Sequence, residues 1–218
     1  FTFSFTEDVQ AVATWVARDD TPFTITYLIT DINGDLSEEV VGTANLVGTT
    51  DEEITQSDAE EGFNQVFGIN LAGYEFDSFQ TTGTILPDGT GTAQAIFHLK
   101  AFTVSFSVSG EQEDVTGIDG VSMTYQTSEN GEQSFTLGEQ TSVSVEYSSS
   151  MTISISVTEG YEFDQILITG EGISLTVDQL TDGTYTYTMP SADINIHIQT
   201  VAERHQIIYH RNFTEDDM

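Results

Sequence analysis

Along most of this chain, apolar side chains recur at every second position with Ser or Thr between them. Phe102, Val104, Phe106 and Val108 form one such run, and Met151, Ile153, Ile155 and Val157 form another. A period of two sets alternate side chains on opposite faces, so each run predicts a strand with one buried and one wet face. The runs are rich in β-branched and aromatic residues. Between them stand Asn33-Gly34, Asp88-Gly89, Asn130-Gly131 and Asp182-Gly183, pairs that suit tight turns because they tolerate positive φ. One segment breaks the period. Ser57-Asp-Ala-Glu60 has the form of a capping box, and Ala59, Phe63, Val66 and Phe67 have the spacing of one helical face. The pattern predicts a mostly β chain with one short helix in its first half and an all-β sandwich in its second.

Three junctions share one form, in which an alternating strand is followed by a polar link and a second alternating strand. They are Gln10–Val16 before Phe23–Tyr27, Gln94–Leu99 before Phe102–Val108, and Ile194–Ile198 before His205–Tyr209. Each reads as the last strand of one unit and the first of the next. The expected organisation is therefore a tandem array: 1–16 closes a preceding unit or acts as a donor strand, 23–101 and 102–200 are complete units, and 205–218 opens a following one. Internal repetition supports this. Gly-Tyr-Glu-Phe-Asp occurs at Gly73–Asp77 and again at Gly160–Asp164. Each copy is followed by Thr-Gly, by Asp-Gly-Thr, and by a strand with histidine at one place, His98 and His197. Trp15 aligns with Leu99 on an inward position, which reads as core.

Charge narrows the partners. The chain of 218 residues carries 36 acidic and 4 basic side chains, a net charge of −32, and such a field repels phosphate backbones and anionic lipid heads. Nucleic acid and membrane insertion are not expected, and no run approaches the roughly 18 apolar residues of a membrane span. There are no cysteines, so packing, neighbouring repeats or bound cations must supply the stability.

Candidate chemistry is sparse. Asp31, Asn33 and Asp35 place oxygen side chains at alternate positions, which suggests calcium. Gly34 falls fourth and Gly42 twelfth, however, where an EF-hand needs glycine sixth and glutamate twelfth, so a hairpin turn is the favoured reading. Tyr74 and Tyr161, in the paired pentapeptides, read as seated aromatics before sugar platforms. His98 and His197 read as solvated strand residues before a pH-sensitive contact. Arg18, Lys100 and Arg204 fall at the unit junctions and are expected to act as interdomain contacts that orient successive acidic units. No nucleophile elbow or other catalytic signature occurs, so no enzymatic activity and no cofactor are expected, calcium aside.

The stretch Phe23–Ala101, with its opening Phe-Thr-Ile-Thr-Tyr strand, the Asp31-Ile-Asn-Gly34-Asp turn, the Gly73-Tyr-Glu-Phe copy and the late Asp88-Gly-Thr turn, resembles the mucin-binding repeats of Gram-positive surface proteins. Met151–Thr200, through Gly160-Tyr-Glu-Phe and Thr188-Met-Pro-Ser-Ala-Asp193-Ile-Asn-Ile, resembles the B-repeats of the internalin type. The resemblance implies a β-grasp-like first unit, an immunoglobulin-like second, and an extracellular, cell-surface location. The function expected is a non-enzymatic stalk or adhesin segment of a large bacterial surface protein, whose partners are neighbouring repeat units or identical subunits. A filament subunit joined by β-strand complementation and a glycan-binding module are the alternatives.

Overall fold

A computed structural model describes residues 14, 16–68, 71–110 and 116–204. Their elements are β1 (Thr21–Ile29), β2 (Gly42–Gly48), α1 (Gln56–Phe67), β3 (Tyr74–Thr81), β4 (Gly91–Leu99), β5 (Ala101–Ser109), β6 (Ile118–Thr127), β7 (Gly131–Thr136), β8 (Ser142–Glu146), β9 (Ser150–Val157), β10 (Tyr161–Gly170), β11 (Ile173–Val177), β12 (Thr184–Thr188) and β13 (Ile194–Ala202). Two units result. Of the described residues, unit 1 holds 14, 16–30, 36–68, 71 and 75–98, and unit 2 holds 31–35, 72–74, 99–110 and 116–204. The expected flanking strands at 1–16 and 205–218 lie outside the described residues except for 14 and 16, and so does Trp15.

Unit 1 is a four-stranded sheet in the order β2-β1-β4-β3. β1 runs antiparallel to β2 and parallel to β4, from Phe23↔Gly91 to Ile29↔Phe97. A ribbon, a helix and a second ribbon with first and last strands side by side make a β-grasp. The period-two residues Phe23, Ile25, Tyr27, Ala44, Leu46, Ala93, Ala95 and Phe97 are all buried, and so are Ala59 and Phe63 of α1. Phe63 is the hub. Its ring lies 4.2 Å from Phe97, 4.4 Å from Phe67 and 5.6 Å from Tyr27, centroid to centroid. Burying one such side chain contributes about 1.5–3 kcal/mol.

The helix start differs from the expectation. The cap is Thr55, not Ser57: the Thr55 hydroxyl accepts from the Asp58 N–H at 3.4 Å, and the Asp58 carboxylate accepts from the Thr55 N–H at 2.7 Å. Asp serves at the third helical position as Glu does in the motif read from sequence, which moved the predicted box two residues too late. Val66, expected on the buried face, is exposed. Gly62 takes part in the contact instead. A methyl group there would collide with the Tyr27 hydroxyl and lie 2.8 Å from the Ala44 side chain, so the absent side chain is what lets α1 approach the sheet.

Unit 2 is an immunoglobulin-like β-sandwich. One sheet has the order β11-β10-β13-β5-β8 and the other β12-β9-β6-β7. Val104, Phe106, Ile166, Ile168, Ile194, Ile196 and Ile198 from the first meet Val121, Met123, Tyr125, Phe135, Met151, Ile153 and Ile155 from the second in one apolar core. As in unit 1, the first and last strands pair in parallel: β5 runs beside β13 from Val104↔Ile194 to Ser109↔Gln199. Asp182 and Gly183 both have positive φ, 51° and 73°, as the two-residue turn read from sequence demands. β10 bulges between Phe163 and Gln165, which leaves Asp164 out of register.

Candidate functional site

The residues singled out in the sequence occupy separate places. Asp31 closes a local loop: its Oδ1 accepts from the backbone N–H of Asn33 at 2.8 Å and of Asp35 at 3.0 Å, and Asn33 Nδ2 donates to its Oδ2 at 3.2 Å. Those backbone donors, Asn33 first, hold the Asp31 carboxyl below its usual range. The carboxylate thus serves an Asx-type turn. Among the described residues no three Asp, Glu or His side chains converge as a metal cluster. Asp88 does for its turn what Asp31 does for its own, with Oδ1 accepting from the Thr90 hydroxyl at 2.6 Å and the Thr90 N–H at 3.0 Å.

Arg18 forms a pair within its own link, Nε to Asp20 Oδ1 at 2.8 Å, with both side chains 68% exposed. Lys100 is the single residue between β4 and β5; its N–H donates to the Gly73 carbonyl at 2.9 Å, and its carbonyl accepts from Tyr147 at 2.7 Å. Arg204 follows β13.

The two pentapeptides sit in different surroundings. Gly160 has φ 89° and turns the chain, whereas Gly73 has no positive φ and is needed because a methyl group would collide with the Tyr147 ring. Tyr74 meets Tyr147 edge to face at 5.7 Å, and burial raises its phenol pKa. Tyr161 lies against Gly117, where any side chain would strike its ring. Both tyrosines are half-buried. His98 Nδ1 stands 3.9 Å from Asp77 Oδ1.

His197 is held more closely. Its Nδ1 lies 2.8 Å from Ser107 Oγ and its Nε2 lies 3.0 Å from Ser109 Oγ. Ser107 Oγ also donates to Asn195 Oδ1 at 3.3 Å. A serine thus holds the nitrogen that a carboxylate orients in a hydrolytic triad.

Two features emerge at the level of whole sheets. First, the outer faces of unit 2 are lined by hydroxyls and amides. Ser105, Ser107 and Ser109 stand beside Asn195, His197 and Gln199, and Ser122 and Thr124 beside Ser154 and Thr152. Acids such as Glu129, Glu139, Glu159, Glu171 and Asp193 stand in the connections between strands. The Ser/Thr half of each period-two run carried this signal. Second, among the described residues β2 is an edge strand without a charged residue from Gly42 to Gly48, and Val40, Val41 and Val47 are exposed beside or on it. Because β2 reads as an ordinary strand in sequence, only the strand order reveals the edge.

No protein-family model matches the chain, and no curated protein matches it. Among solved structures it is similar to the major pilin T-13 of Streptococcus pyogenes, with 8% identity over 86% of this chain and 98% of that one, at a TM-score of 0.38. The pilus adhesin SpaC of Lactobacillus rhamnosus GG matches with 10% identity over 85% of this chain and 32% of that one, TM-score 0.31. The type 2 repeat of the mucus binding protein MUB of Lactobacillus reuteri matches with 12% identity over 84% and 100%, TM-score 0.22. At TM-scores below 0.5 the chain paths diverge, and the fold rests on the strand orders and registers given above.

Proposed function

We propose that this chain is a non-enzymatic, extracellular stalk or adhesin segment of a bacterial cell-surface protein, built to carry tension along its length. The observation that carries this reading is the parallel pairing of first and last strands in both units, β1 with β4 and β5 with β13. A chain that runs up the first strand and up the last enters a unit at one pole and leaves at the other. Each unit then adds about 30 Å, the length of a nine-residue strand. Tension applied through the two ends loads the evenly spaced hydrogen bonds of the parallel ladder together instead of peeling them in turn. The acid surface, repelled from phosphate and lipid heads, supports a place outside the cell, in keeping with the repeats it resembles.

Single-molecule pulling tests this directly. With no cysteines in the chain, thiol handles can be placed at will. Held by its ends, the chain is expected to unfold in two separate high-force events, one per unit. Held instead at Thr43 and the C-terminal end, unit 1 is expected to yield at markedly lower force. Equal forces in both geometries would remove the basis of the reading.

A second reading, a filament subunit completed by strands from other copies, is favoured by the uncharged edge of β2.

A further inference from the structure

We propose that Asn130-Gly131, at the tip of the β6–β7 hairpin, is a self-modification site whose asparagine loses its amide nitrogen through a succinimide and ends chiefly as isoaspartate, and that the chemically identical pair Asn33-Gly34 is protected. The chain has two Asn-Gly pairs, these two. Glycine after asparagine favours the reaction, because no Cβ shields the backbone nitrogen and the main chain bends easily toward the carboxamide. The Gly131 nitrogen attacks Asn130 Cγ. The N–Cγ bond forms, the Cγ–Nδ2 bond breaks, and Nδ2 leaves as ammonia with the proton from the Gly131 nitrogen. Water then opens the ring: cleavage beside the main-chain carbonyl of residue 130 gives isoaspartate, and cleavage beside Cγ gives aspartate. Nothing is oxidised or reduced.

What holds the amide separates the two pairs. Both lie at exposed turns and both glycines have positive φ, 81° at Gly34 and 67° at Gly131, so neither exposure nor backbone sign distinguishes them. At Asn33 the reacting groups are tied. Its Nδ2 donates to Asp31 Oδ2 at 3.2 Å, its N–H donates to Asp31 Oδ1 at 2.8 Å, and the Gly34 nitrogen that would attack donates to the Asp31 carbonyl at 3.1 Å. Cyclisation there has to break the first and last of these bonds, and the first is to a carboxylate. At Asn130 the bonds fall on the main chain. Its N–H donates to Thr127 Oγ1 at 3.2 Å and its carbonyl accepts from Gln133 Nε2 at 3.0 Å. Gly131 opens β7 opposite Thr127, and its carbonyl accepts from Thr127 Oγ1 at 3.5 Å. Among the described residues the Asn130 carboxamide has no hydrogen-bond partner, and no atom beyond the chain neighbours stands within 4 Å of where a Gly131 side chain would begin. Asn130 Cγ therefore turns onto the Gly131 nitrogen without first losing a side-chain bond. Isoaspartate adds a methylene to the main chain of this hairpin and puts a carboxylate between the exposed acids Glu129 and Glu132. Because β7 carries Phe135 into the core of unit 2, the product should weaken unit 2 and leave unit 1 as it was.

The full chain is aged in warm, mildly alkaline buffer and mapped by mass spectrometry, with conversion of amide to acid read at each asparagine. An aspartate-directed protease, which passes over isoaspartate, tells the two products apart. Asn130 is expected to convert about tenfold faster than Asn33, the ratio set by the hydrogen bonds that only Asn33 must break. In urea, with the fold removed, the two rates should converge. Asp31→Ala should raise the Asn33 rate severalfold. The unit 2 melting transition should fall in the aged chain and hold in an aged Asn130→Gln variant. Equal rates in the folded chain, a faster Asn33, or an Asn130 that stays intact would each overturn the proposal. So would an Asn33 rate unchanged by Asp31→Ala, or a difference that persists in urea, since that would arise from neighbouring sequence and not from the fold. None of these outcomes bears on the pulling experiment, so the stalk reading stands or falls separately.

Discussion

Unit 1 and unit 2 send the chain through by the same route and fill the space behind it differently. In both, the first and last strands lie parallel and adjacent. In unit 1 the sheet is covered by one twelve-residue helix and the core centres on aromatic rings, with Phe63 touching Tyr27, Phe67 and Phe97. In unit 2 a second sheet provides the cover, and the core is spread over many aliphatic side chains, with Phe106 and Phe135 stacked at 4.7 Å. What the two share is strand direction, and strand direction sets how tension enters. The cover is interchangeable, because any apolar layer of suitable shape satisfies a half-buried sheet. A concentrated hub should be more fragile to a single substitution than a distributed core.

The sharpest way to break that comparison is to remove the hub. Phe63→Ala is expected to cost about 3–5 kcal/mol and to melt unit 1 well below unit 2, giving two calorimetric transitions. Ile196→Ala in unit 2, at about 2–5 kcal/mol, should shift only the other transition; a single merged shift in either variant would mean that the units are not independent.

Gly62→Ala comes next, with about 1–3 kcal/mol lost from unit 1. Alanine normally stabilises a helix relative to glycine, so a stabilised variant would show that helix and sheet are not in the close contact described.

Smaller effects follow from Tyr27. Its hydroxyl donates to the Ala59 carbonyl at 3.2 Å, and Tyr27→Phe should cost about 1 kcal/mol at neutral pH. Burial raises the phenol pKa well above its ordinary value of 10.0. A raised folded pKa means that the unfolded chain loses its proton first, so this contribution is complete below about pH 10 and is lost as pH rises further. Alkaline melting curves should show unit 1 weakening above that point and the Phe variant weakening less. Thr55→Ala, which removes the cap of the helix, should cost about 1 kcal/mol, read as a drop in the unit 1 transition alone.

The sequence by itself determined the period-two strands, their faces, the tight turns and the presence of a helical segment, because period and turn residues are local and each acts within a few residues; the helix cap was placed two residues late, since Thr55 and Ser57 both suit a cap and the bond from Thr55 N–H to the Asp58 carboxylate decides between them. Phe102, Val104, Phe106 and Val108 announce their face wherever they fold, and Asp182-Gly183 turns for reasons internal to itself. The tertiary structure alone decided which strands are neighbours and therefore which are edges. Nothing local distinguishes β2 from a central strand; among the described residues it stands last because β1 pairs with β4 on its other side. The same holds for Gly73 and Gly160, identical in sequence context, where one needs a positive φ and the other needs room for Tyr147. It holds also for Gly62, a residue that weakens a helix by propensity and is required here by the tyrosine across from it. Helix caps and turns depend on bonds between near residues, whereas edges and close approaches depend on partners dozens of positions away, and only packing brings those together.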